Sequence, residues 1–92
     1  MIEKCINWIK ESARRADDYY RAMTVWVTSR RKIGSVTGLV RLASAYERGL
    51  DKALACLRKL RPSKGVDAQI TTTETYKALI SDDIRLLRNL KE

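Results

Sequence analysis

Between Ile2 and Val27 the apolar residues fall at Ile2, Ile6, Ile9, Ala13, Ala16, Tyr20, Met23 and Val27, steps of four and three that repeat every seven. A helix shows one face at that spacing and a strand does not. A second row, Cys5, Ser12, Tyr19 and Trp26, runs beside the first. The stripe is wider than a two-stranded seam requires, so helix 1, predicted over 2–33 and about 48 Å long, is expected to touch two neighbours. Helix 2 is predicted over 36–61, before Pro62, on a stripe that includes Leu39, Ala43, Tyr46, Leu50, Ala53 and Leu57. Gly49 inside it costs about 1 kcal/mol against alanine, which a close approach of another helix or of a bulky side chain would offset. Thr71 and Glu74 have the spacing of a capping box, and helix 3 is predicted over 72–91, with Ser81, Asp82 and Asp83 able to kink it.

The fold class expected is all-α: one helical domain over 1–92, built as an antiparallel hairpin of two long helices with a shorter third packed on it. The wide stripe on helix 1 makes a homodimer, closing as a larger bundle, the expected assembly. No apolar run reaches the ~20 residues of a membrane span, and the first residues lack the apolar core of a signal peptide. That places the chain in the cytoplasm or nucleus, with Cys5 and Cys56 reduced. In the expected hairpin the two cysteines sit roughly 10 Å apart along the bundle, too far to bridge.

Charge changes this picture from pure architecture to a candidate function. The chain carries 19 basic and 11 acidic residues, net +8. Residues 1–33 hold eight basic and four acidic side chains, residues 34–65 seven and two, and residues 66–92 four and five. The excess belongs to the first two helices, and a localised excess draws phosphate-rich or acidic partners. On helix 1, Glu11 with Arg15, Arg14 with Asp18 and Asp17 with Arg21 neutralise one another at helical spacing and read as a solvated face. Trp8, Tyr19, Tyr20 and Trp26 read as core or interface anchors.

On the outer face of helix 2, Arg41, Ala45, Arg48, Lys52, Ala55 and Lys59 step by four and three along one ridge about 27 Å long, every member basic or small. Long cations separated by alanines let a helix lie close to a polyanion while the charges reach sideways to phosphates. Arg30, Arg31 and Lys32 would extend the track; equally, they suit a helix C-terminus before Gly34.

Catalytic chemistry is not legible. Histidine is absent, the two cysteines have no zinc spacing, and the glycines form neither a P-loop nor a dinucleotide fingerprint. The expectation is a non-enzyme with no catalytic residue, no metal and no cofactor.

The segment 48–59, RGLDKALACLRK, resembles the core helix of the small nodaviral RNA-silencing suppressors. Those are viral all-helical proteins that dimerise as antiparallel hairpins and bind double-stranded RNA without regard to sequence. The resemblance spans a dozen residues and implies an RNA-contact role for Arg48, Cys56 and Lys59, in host cytoplasm. Pro62 departs from the family, whose helix runs on with further basic residues. The function expected is therefore shape-specific binding of duplex RNA through the ridge. The alternative is a helical adaptor or inhibitor docking on an acidic protein surface, anchored by Trp8 and Trp26.

Overall fold

A computed structural model of the chain describes residues 2–29 and 36–90. They form three helices, α1 (Ile2–Thr28), α2 (Val36–Leu57) and α3 (Lys64–Asn89). α2 is the centre: α1 packs along one side of it and α3 along another, while the Cα atoms of α1 and α3 stay more than 8 Å apart. The result is an open V of helices with extents of 47 × 21 × 16 Å. All-α architecture is what the periodicity predicts, but α3, with 26 residues, is longer than α2, with 22, and not the shorter helix expected.

The buried face of α2 carries Leu39, Ala43, Tyr46, Leu50, Ala53, Leu54 and Leu57, at the three-and-four spacing of its apolar stripe. From α3 it receives Ile80, Ile84 and Leu87, and from α1 the fully buried Tyr19. The Tyr19 hydroxyl donates to Asp83 Oδ2 at 3.1 Å, the one place where a side chain of α1 is hydrogen-bonded to α3 among the described residues. Burial, with the Asp83 carboxylate beside it, pushes the Tyr19 phenol above its ordinary pKa of 10.

The row of α1 that α2 covers is not the one its heptad spacing singles out. Cys5, Ser12 and Tyr19 are buried, while Ile2, Ile6, Tyr20 and Val27 are exposed. The second row thus lies on α2, and the first turns toward the opening between α1 and α3, with its Ala16 and Met23 still packed against the core.

The end of α2 and the start of α3 differ from the sequence reading, while the expected end of helix 1 at residue 33 lies outside the described residues. Described structure in α1 ends at Thr28 and a turn at Ser29, and Arg30, Arg31 and Lys32 lie outside the described residues. α2 ends at Leu57, with Lys59 N–H and Leu60 N–H closing tight turns onto the carbonyls of Cys56 and Leu57 at 3.1 Å each. α3 begins at Lys64, eight residues before the expected start, because Ser63 is its N-cap and accepts the Val66 N–H at 3.1 Å. The threonine-rich run sits inside the helix, where Thr73 and Thr75 return their hydroxyls to the carbonyls of Gln69 and Thr71. Nor does α3 break at 81–83: Ser81 donates to Glu47, Asp82 accepts from Arg85 and Asp83 accepts from Tyr19, so each has a partner other than the local backbone.

The cysteines differ most. Cys5 and Cys56 form a disulfide with Cα atoms 5.4 Å apart, which overturns the expectation of two separated thiols. The hairpin register explains it. Cys5 faces Cys56 and, seven residues further on each helix, Ser12 faces Gly49, so the two sulfurs are level and not offset. Gly49 owes its place to this contact. A Cβ there would meet Ser12 Oγ at 2.9 Å and Arg15 Cδ at 3.4 Å. The close approach is by α1, through its serine and the Arg15 side chain. Ser12 is buried and its hydroxyl already donates to the Trp8 carbonyl at 2.8 Å, so it has little room to give way. Gly49→Ala should therefore destabilise by about 1–2 kcal/mol despite its better helix propensity. Urea unfolding checks this, and in a Ser12→Ala background most of that cost should disappear.

A candidate nucleic-acid interface

The helical spacing of Arg41, Ala45, Arg48, Lys52 and Ala55 sets them on the side of α2 opposite Tyr46, Leu50 and Ala53. Arg41, Arg48, Lys52, Ala55 and Lys59 are exposed, and Ala45 is half-buried. Lys59 lies two residues past the end of α2, in the turn that continues the row. What surrounds these cations decides whether they are available. The two acids of α2 both turn away from them toward α3: Glu47 accepts from Ser81, and Asp51 pairs with Lys77 at 2.6 Å. Arg58, off the row, pairs with Glu74 of α3 at 2.8 Å. Among the described residues none of Arg41, Arg48, Lys52 and Lys59 has an ion-pair partner.

α1 adds a second wall. Its Lys4 and Trp8 face Lys52, Ala55 and Lys59 across a depression of about 460 Å³ that also includes Cys56 and Leu60. Further along the same seam, Arg14, Arg15 and Asp18 face Leu42, Ala45 and Arg48 across about 280 Å³. The sequence offers Trp8 only as the anchor of a protein-docking face, and Lys4 not at all. Their signal is spacing: Lys4, Trp8 and Arg15 step by four and seven, which sets them on one flank of α1.

No protein-family model, curated protein or solved structure matches this chain.

Arg15 holds the seam together. Its Nε donates to Glu11 Oε2 at 2.8 Å, its Nη1 to the Ala45 carbonyl at 2.8 Å, and its guanidinium lies 5.9 Å from the centre of the Trp8 ring. This is a positioning role and not the solvated surface pair that spacing alone suggests. Arg14 grips Glu11 from the other side at 2.7 and 3.0 Å and also reaches Asp18 at 2.8 Å, so it is spent on neighbours, as the sequence implies. Arg21 with Asp17, at 2.6 Å, is a plain surface pair.

Cys56 sits within the depression, but its sulfur is bonded to Cys5, so it presents no thiol to a ligand. The disulfide pins the N-terminal end of α1 to the C-terminal end of α2, which sets Lys4 beside Lys52 and Lys59.

Glu11 titrates far from its usual range. Hydrogen bonds from Arg14 first and Arg15 second lower its carboxyl from 4.5 to about 2. A depressed carboxylate contributes stability that is complete above its unfolded value and lost as pH falls through the folded one. The stability difference between wild type and Glu11→Gln should hence be constant above pH 4.5 and shrink to nothing near pH 2. Thermal melts across that window test it.

Proposed function

We propose that this protein is a non-enzymatic binder of duplex nucleic acid, RNA in preference to DNA, that grips the phosphate backbone with the outer face of α2. The observation that carries this reading is the row of four exposed cations without an ion-pair partner among the described residues: the two acids of α2 are turned toward α3, and Asp18 of α1, which borders Arg48, is held by Arg14. Arg41, Arg48, Lys52 and Lys59 supply the contacts, with Lys4 at one end and the alanines at 45 and 55 allowing close approach. Nothing in this face reads base edges, so recognition is by shape and charge. The preference for RNA rests on the resemblance of residues 48–59 to the silencing suppressors, and sequestering duplex RNA is the role it implies.

The test is fluorescence anisotropy with a ~20-base-pair RNA duplex, the same duplex in DNA and one RNA strand. The RNA duplex should bind most tightly. Equal weak binding to all three would reject the reading and leave the ridge a generic charged face. Docking on an acidic protein surface has less support, since Trp26 packs against the core and only Trp8 borders the ridge.

A further inference from the structure

On the face of the molecule away from the ridge runs a groove of about 420 Å³, walled by α1 and α3 and floored by Tyr46, Leu50 and Ala53 of α2. None of the thirteen residues lining it is charged, in a chain that is one-third charged. Its α1 wall is the heptad row: Ile9, Ala13, Ala16 and Tyr20 line the groove, and Ile2, Ile6 and Val27 continue the row beyond it. Much of this is bare, with Ile2 57%, Tyr20 48% and Val27 58% exposed on α1, and Tyr76 50% and Leu79 55% exposed on α3. Contiguous apolar surface of this extent marks an interaction site.

We infer that the grooved face receives the same face of a second copy, each α1 laying its heptad row into the other's groove. Three observations choose that occupant. A three-and-four apolar row sustained over nearly four heptads is the pattern of a helix that packs into another helix, and α2 is served mainly by a different row of α1, with Ala16, Tyr20 and Met23 of this row also touching the core. The open V lacks the one helix that would close a four-helix arrangement around this groove, and α1 of a second copy supplies a helix of matching length and apolarity. With two-fold symmetry each α1 is both wall and guest, so both apolar rows are covered at once. The small Ala13 and Ala16 at the middle of the row let two helix axes approach closely. A covered face about 40 Å long and 20 Å wide amounts to about 800 Å² per partner, the area of a standard stable interface. Charge agrees as well. The ridge lies across α2 from the groove floor, so two chains of net +8 meet through uncharged surface and leave both ridges outward.

This inference does not depend on nucleic-acid binding. Sedimentation equilibrium of the full chain from 1 to 100 µM tests it directly. Wild type should show twice the chain mass of 10.6 kDa. Ala13→Glu and Leu79→Glu alter exposed positions, should retain the helical circular-dichroism signal, and should each weaken the dimer at least 100-fold. Arg48→Glu with Lys52→Glu should leave the dimer intact. A monomer at 100 µM overturns the inference, and so does a dimer indifferent to both groove variants. Binding of an apolar dye by a monomer, lost in Leu79→Glu, would also overturn it and assign the groove to a small apolar ligand.

Discussion

Replacing Arg48 and Lys52 together with glutamate should reduce affinity for an RNA duplex by about 100-fold or more, with no change in helix content. A hydrogen bond to a charged group contributes about 1.5–3 kcal/mol, and two such contacts are lost. The introduced carboxylates then repel the phosphates they face. Both positions are exposed and have no ion-pair partner among the described residues, so the substitution breaks nothing within the fold. Arg14→Glu and Arg21→Glu reverse the same number of charges on α1 and serve as controls. Their guanidinium groups already pair with Asp and Glu, so they should cost much less. If all charge reversals weaken binding equally, the ridge is not the site and only net charge matters.

The second large effect concerns the disulfide. Cys5→Ser with Cys56→Ser opens a loop closed across 51 residues, and the chain-entropy relation gives a loss of about 4 kcal/mol. Small domains have only about 5–15 kcal/mol in total, so the melting temperature should fall by about 15–30 °C. Wild type treated with a reductant should fall to the same temperature, and the double variant should not respond to reductant at all. Equal melting with and without reductant would show that the crosslink does not hold α1 on α2. Because Lys4 sits beside Lys52 and Lys59 only while the two ends are pinned, RNA affinity should decline several-fold as well, with Arg41 and Arg48 still contributing.

Helical periodicity carried most of the architecture. The apolar steps on α2 predict the residues that are buried there, and the acid-free ridge is visible as a spacing of four and three. On α3 the apolar side is only half covered, with Ile80, Ile84 and Leu87 buried and Tyr76, Leu79 and the C-cap Leu90 exposed. Two matters of register were not legible. On α1 two apolar rows lie side by side, and periodicity ranks them by hydrophobicity alone. The weaker row, with a cysteine and a serine in it, wins the contact with α2 because Cys5 bonds to Cys56 and Ser12 fits over Gly49. Neither fact shows in a helical wheel. The pairing of the cysteines is hidden for the same reason, since their separation depends on the hairpin register and not on their distance along the chain. The start of α3 was misplaced because a threonine followed three residues later by glutamate imitates a cap, whereas Ser63 after Pro62 forms the actual one. Arg15 is a further case. Its spacing to Glu11 is that of a surface pair, and its bond to the Ala45 carbonyl thirty residues away can be seen only in three dimensions.

The most direct test of the ridge as a duplex-binding face is the salt dependence of RNA-duplex affinity. Five cations on phosphates, Arg41, Arg48, Lys52, Lys59 and Lys4, predict a slope of about −4.5 in log K against log salt concentration. Removing Arg48 and Lys52 by alanine substitution should bring that slope to about −2.7. A slope near zero, or one that the two alanines leave unchanged, would contradict phosphate binding by this face.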